Sequence, residues 1–138
     1  MKIENDYLDG KMVDEEEIFY FPNGIIGFEN LKKFVLVNTP NYKPFSFLVS
    51  LDQEDFSIPV VNPFMLIDEY QKNLPAEFSN ELKEYDIECQ VFCVVNLKGE
   101  NGGPTLNLKG PIIIDLLKKT GKQVILTADI LTVTYPLN

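Results

Sequence analysis

Few side chains in this 138-residue sequence could perform chemistry. It contains 12 lysines but no arginine, histidine or tryptophan, so neither a histidine-based nucleophilic triad nor an imidazole acid–base group can be built. The two cysteines, Cys89 and Cys93, lie in an extended-looking segment. Four positions along a strand span about 13 Å, which is too long for one metal ion or a disulfide. We therefore expect two small apolar side chains on one strand face and no metal site.

Acidic residues dominate the charge. The formal net charge is −9, which argues against direct nucleic-acid binding because phosphate contacts need a basic surface. Seven acids lie within residues 1–17 and seven more within 68–88, whereas residues 105–138 hold two acids and four lysines. This distribution provides solubility, and it also favours an acidic face that steers a basic protein partner.

The length and composition are those of one globular domain. The hydrophobic content is 45%, and we expect a single domain over residues 1–138. No apolar run approaches the ~20 residues of a membrane-spanning helix, and the polar, acidic start lacks the pattern of a secretory signal. The expectation is a cytoplasmic monomer with no membrane partner.

Short apolar runs separated by turn signals predict strands rather than helices. Strands are expected over residues 18–21, 33–38, 44–51, 56–61, 89–97, 105–108, 112–114 and 123–127, with 130–135 as an edge strand or a tail. A helical turn is expected near 116–121, and one helix begins at Pro75 and includes Phe78. The predicted fold class is mostly β, a small antiparallel β-barrel-like domain with one or two short helices. A sandwich is the alternative.

The predicted strand over residues 44–51 alternates with a period of two. The residues that this period places on one side are Phe45, Phe47, Val49 and Leu51.

The segment over residues 18–29 carries turn chemistry. Pro22, Gly24 and Gly27 are expected to form turns, because proline fixes φ and glycine reaches positive φ. We expect the flanking Phe21 and Phe28 in the core. The preceding acidic run at residues 15–17 is interpreted as a solvated lead-in to the strand.

A second segment, residues 59–64, suggests a contact surface. Within it, Asn62-Pro63-Phe64 interrupts an apolar run, and since a proline cannot lie in a central strand, these three residues mark an edge or a strand exit where an aromatic side chain can dock. The pair of acids that follows stands beside a tyrosine, a combination common at interfaces. The predicted partner-binding residues are Asn62, Pro63, Phe64, Asp68, Glu69 and Tyr70.

The third segment covers residues 105–115. Asn107 lies between Leu106 and Leu108 and faces the opposite side. We interpret its side chain as a hydrogen-bonding group that fixes a bulge or turn before Pro111.

Together, these three segments resemble the FliW family of bacterial flagellar assembly factors, in order along nearly the whole chain. Two departures are visible. The usual Gly-Ile-Pro-Gly-Phe turn has Ile26 in place of proline, and Gly110 stands where alanine is common. Both lie in turns and bear on loop rigidity more than on the fold.

The resemblance implies a small β-barrel-like domain with no enzymatic activity, no cofactor and no catalytic residue. It also implies two protein partners, flagellin and the RNA-binding translational repressor CsrA. Unexported flagellin would occupy the protein and leave CsrA free to repress flagellin translation. After flagellin export, the protein would bind CsrA away from the RNA-contact surface and relieve the repression allosterically.

Two other function classes remain open from the residues alone. A small-ligand-binding barrel or a carboxylate-based hydrolase could use Asp52, Glu54 and Asp55, but it requires a concave pocket lined by such acids. A purely structural subunit is the third class.

Overall fold

The computed structural model describes residues 3–4, 12–38, 44–66, 78, 89–97, 103–126 and 135–136. The chain is mostly β, which confirms the predicted fold class. The strands are β1 Ile3–Glu4, β2 Met12–Val13, β3 Ile18–Tyr20, β4 Lys33–Asn38, β5 Ser46–Ser50, β6 Ser57–Val61, β7 Cys89–Asn96, β8 Thr105–Leu106, β9 Ile112–Asp115, β10 Thr120–Gln123 and β11 Tyr135–Pro136. A 3₁₀ turn occupies Glu15–Glu17, and helix α1 covers Pro63–Leu66.

Seven strands close into a ring. β3 to β7 pair antiparallel in chain order, β7 pairs with β9, and β9 pairs with β10. The ring closes where β10 meets β3 in parallel, through the single pair Thr120 and Tyr20. The predicted antiparallel arrangement therefore holds at every pairing except this one. Closure removes most exposed strand edges.

The remaining strands extend this ring. The first half of β7 pairs with β9 and its second half pairs with β8, which in turn pairs with β11. β1 and β2 form a separate two-stranded pair.

The core consists of three apolar clusters. The first packs Phe21 against Phe34, with ring centroids 5.1 Å apart in an edge-to-face arrangement, and extends to Leu48 on β5. The second surrounds Cys93 on β7 and includes Phe78. The third gathers Phe47, Val49 and Leu51 together with residues of β3 and β4. Strand β5 therefore buries side chains on both faces.

Four residues of the segment 44–51 are predicted to share one side of the strand. Three of them, Phe47, Val49 and Leu51, do lie together in the third cluster. The fourth, Phe45, packs against the second cluster. Neither cysteine forms a disulfide, and both belong to or pack against the second cluster, as the strand interpretation predicts.

Two further sequence expectations need correction. Phe28 is not in the core: its side chain is 39% exposed and its ring lies 4.8 Å from that of Phe56. Strand β10 covers Thr120–Gln123 and not the expected residues 123–127, because the turn before it is shorter. The Asp115 carboxylate accepts hydrogen bonds from the backbone N–H groups of Leu117 and Lys118, at 3.0 and 2.9 Å, and holds that turn.

Helix α1 was not expected at residues 63–66. The helix predicted from Pro75 lies outside the described residues, apart from Phe78, which is helical and buried. Within the described part of the chain, no helix is long and apolar enough to cross a membrane.

Candidate functional site

Two tight turns follow strand β3. The Gly24 N–H donates to the Phe21 carbonyl at 2.9 Å, and the Phe28 N–H donates to the Ile25 carbonyl at 2.6 Å. Gly24 and Gly27 have φ values of +66° and +89°, a region that residues with a Cβ rarely adopt. A Cβ on Gly24 would also lie 2.6 Å from the Cα of Glu29. The two glycines therefore let the chain fold back tightly beside the ring.

The Gln123 side chain ties these turns to the far end of the chain. Its Oε1 accepts a hydrogen bond from the Ile26 N–H at 2.9 Å, and its Nε2 donates to the Gly110 carbonyl at 3.0 Å. A Cβ on Gly110 would lie 2.8 Å from that Nε2. The two positions at which the sequence departs from the family motif are thus the two partners of one side chain.

A cleft of about 350 Å³ lies between the turns and strand β10. Its lining residues are Pro22, Asn23, Gly24, Ile26, Glu29, Thr120, Gly121, Lys122, Gln123 and Ile125. The aliphatic side chains of Ile26 and Ile125 are 60% and 55% exposed. We call this feature the seam cleft, because it opens where the ring closes.

The predicted turn residues of the third segment lie beside the seam cleft. The Asn107 side-chain Oδ1 accepts a hydrogen bond from the Lys109 N–H at 3.0 Å, and the buried Pro111 accepts one from the Val124 N–H at 2.9 Å. These bonds position Gly110 and strand β10.

The structure separates the predicted partner-binding residues from the seam cleft. β6 ends at Val61, and the Asn62 side chain then accepts a hydrogen bond from the Phe64 N–H at 2.9 Å, which caps helix α1. Pro63 is buried, and Phe64 packs against the second cluster. Asp68, Glu69 and Tyr70 lie outside the described residues.

Sequence reasoning did not select Met65, which is 77% exposed on helix α1. It also did not single out Gln123 or Ile125. An isoleucine in an exposed turn was the one available signal for Ile26, whereas the role of Gln123 depends on contacts across 97 positions of sequence.

The three carboxylates considered for a hydrolase or ligand site, Asp52, Glu54 and Asp55, do not line the seam cleft. Asp52 is exposed, and its Oδ2 accepts hydrogen bonds from the backbone N–H groups of Lys32 and Lys33 at 2.6 and 2.9 Å. Glu54 and Asp55 are exposed on the same turn. Among the described residues, no three His, Cys, Asp or Glu side chains are grouped as metal ligands. The arrangement supports turn formation rather than a ligand site.

A sequence profile described as "FliW protein" matches residues 2–137. The chain belongs to the FliW family. It is 37% identical over 139 residues to the flagellar assembly factor FliW of Clostridium acetobutylicum, covering 99% of this chain and 98% of that protein. The FliW of Caldicellulosiruptor saccharolyticus is 38% identical over 126 residues, covering 91% of this chain and 80% of that protein.

Similarity extends to a further bacterial protein and to a solved structure. The FliW of Borreliella burgdorferi is 40% identical over 119 residues, covering 84% of this chain and 90% of that protein. A crystal structure of the flagellar assembly factor FliW superposes with a TM-score of 0.80 at 27% identity, covering 100% of this chain and 97% of the other. The likeness to a solved FliW structure therefore spans the entire chain.

Proposed function

We propose that this protein is a flagellar assembly factor that acts by binding two proteins in turn, the translational repressor CsrA and flagellin. Membership of the FliW family over residues 2–137 carries the proposal. When flagellin accumulates, it occupies this protein, and free CsrA represses flagellin translation. When flagellin has been exported, this protein binds CsrA and relieves the repression. It acts in the cytoplasm, as a monomer, without a cofactor and without contacting nucleic acid directly.

The charge of the protein supports an RNA-binding protein as partner. An RNA-binding surface is basic, and a chain of net charge −9 is attracted to it over long range. The same charge disfavours this protein as a ligand for the RNA itself. The antagonist therefore acts on the repressor, not on the message.

An antagonist of RNA binding needs a difference in affinity. It must bind RNA-free CsrA more tightly than RNA-bound CsrA, and by linkage the RNA then weakens its binding by the same factor. A 100-fold difference corresponds to roughly 2.7 kcal/mol. A modest interface provides that amount without a catalytic step.

Calorimetric titration with CsrA from the same organism, with and without flagellin, tests the proposal. We expect tight binding to CsrA that saturating flagellin abolishes. Binding to flagellin but not to CsrA would restrict the role to that of an assembly chaperone. Binding to neither protein would refute the proposal.

For CsrA we propose a contact within residues 62–70, made by Asp68, Glu69, Tyr70 and the exposed Met65, while the buried Pro63 and the core-packed Phe64 hold the segment in place. Changing Asp68 and Glu69 together to lysine should weaken CsrA binding about tenfold at low salt and flatten its salt dependence. The matched control changes Glu16 and Glu17, both exposed, to lysine.

Both double variants raise the net charge by the same amount, from −9 to −5, since each substitution adds two charges. Isothermal titration at two salt concentrations compares them. Equal losses in the two variants would mean that overall charge, not a contact at residues 68 and 69, determines affinity.

A further inference from the structure

One edge of strand β10 faces the seam cleft, and beyond its single pair with β3 no described strand pairs with that edge. Alternate residues of this segment hydrogen-bond toward β9: the Val124 N–H donates to the Pro111 carbonyl, and the Leu126 N–H to the Lys109 carbonyl. The residues between them direct their backbone groups the other way. Among the described residues, the N–H groups of Gln123 and Ile125 have no hydrogen-bond partner.

Pro22 explains why β3 does not cover this edge. Tyr20 of β3 faces β10, and its N–H donates to the Lys119 carbonyl at 2.9 Å. In this register, the next donor would be residue 22, and proline has no N–H. The Pro22 carbonyl accepts the Lys32 ammonium at 3.0 Å instead. The parallel ladder therefore stops after one pair.

The seam cleft has the chemistry of a site for an extended peptide. Backbone donors at residues 123 and 125 repeat every two residues, about 6.6 Å, which is the repeat of a β-strand. Ile26 and Ile125 provide apolar contacts on the exposed side. Recognition by a free strand edge, with pockets for alternate side chains, is an established mode of peptide binding.

We propose that the seam cleft binds a short extended segment of a partner protein, added as a strand to the free edge of β10. The segment carries aliphatic side chains at alternate positions and few acids, because the chain has a net charge of −9, while the two charged residues that line the cleft, Glu29 and Lys122, balance each other. A proline cannot occupy a position that pairs with β10. This inference rests on the proposed function in one respect: it takes the bound segment to come from a protein partner.

The first test selects binding peptides from a phage-displayed library of random octapeptides, with the intact protein as bait. We expect enrichment of sequences with alternating aliphatic residues, few acids and no central proline. An enriched peptide should shift the backbone amide signals of Gln123 and Ile125 in an NMR titration. N-methylation of the residue that pairs with β10 should weaken it about fivefold, since one hydrogen bond is lost.

A matched pair of variants tests the location. Ile125→Asp should weaken the selected peptides about tenfold, because it places a charge against their aliphatic side chains. Leu97→Asp is the control, since Leu97 is equally exposed, at 55%, but does not line the cleft. It should change the affinity less than twofold. Thermal melts verify that both variants are folded.

Several results would overturn the proposal. These are a library that yields no binder, equal losses in the two variants, or enriched peptides with the spacing of a helix. Self-association of the protein that Ile125→Asp abolishes would assign the cleft to a second copy instead. The calorimetric titrations with CsrA and flagellin are independent of this selection, so their success alongside a failed selection would remove the cleft site and leave the proposed function intact.

Discussion

The two sides of the ring are built differently. On one side, β4 pairs with β5 over residues 34–38, and β5 pairs with β6 along most of its length. On the other side, β3 meets β10 at a single position. The long ladders bury side chains on both faces of β5, whereas the short one leaves a cleft with exposed isoleucines. The ring therefore closes without a full ladder of backbone hydrogen bonds between every pair of neighbouring strands.

A single glycine makes the seam possible. A Cβ on Gly121 would lie 2.2 to 2.5 Å from three ring atoms of the fully buried Phe21. Real Cβ atoms do not approach other atoms so closely, so the ring or strand β10 must move. The seam consequently has little tolerance for added volume at Gly121.

The largest effect is expected from Gly121→Ala. Overpacking a filled core costs about 2–3 kcal/mol in the free energy of unfolding, which urea denaturation measures. Adding Phe21→Leu makes room for the methyl group, so the double variant should lose less than the sum of the two single changes. Strictly additive losses would show that the Phe21 ring does not limit the seam.

A smaller effect is expected from a change at Asp52, on the side of the ring where the strands pair over long ladders. Asp52→Ala removes the acceptor for two backbone N–H groups, those of Lys32 and Lys33. Bonds to a charged acceptor are among the stronger ones, but this site is exposed, so we expect a loss of about 1.5 kcal/mol. Glu54→Ala on the same turn is the control and should cost less than about 0.5 kcal/mol. Similar urea midpoints for the two variants would contradict this role of Asp52.

The smallest effects are expected at the Gln123 bridge. Gln123→Ala removes two neutral hydrogen bonds and should cost about 1 kcal/mol, since water replaces part of them. Ile26→Pro restores the usual residue of the motif but removes the N–H that Gln123 accepts. We expect it to cost about 0.5 kcal/mol alone and to be neutral or slightly stabilising when combined with Gln123→Ala. A double-mutant cycle on urea midpoints measures the coupling, and additive effects would exclude it.

The long ladders were predictable because their signals are local. β4 has the expected bounds, Lys33–Asn38, since an apolar run there meets a Thr-Pro boundary that stops a strand. β7 follows from a continuous β-branched and aromatic run. The family motifs likewise located the turns around Gly24 and Asn107.

The seam was not predictable, because its causes are distant in sequence. The ladder of β10 begins in the polar stretch at Thr120, where pairing with β9 outweighs the apolar run that follows. The preceding turn places Lys119 at a φ of +57°. A positive φ is usually signalled in sequence by glycine or asparagine, and this position is a lysine. The hydrogen bond between Ile26 and Gln123 could not be inferred from either residue alone.

The parallel pair also sets the order of events during synthesis. β3 lies at residues 18–20, and its ring partner begins at residue 120, so one hundred residues separate the two halves of the closure. At about 5–20 residues per second, the ribosome needs roughly 5–20 s to make that stretch. During this interval, β3 to β6 can fold as a meander, but β10 does not yet exist. Binding through the seam cleft is therefore confined to finished molecules, and nascent chains on the ribosome leave the partner unoccupied.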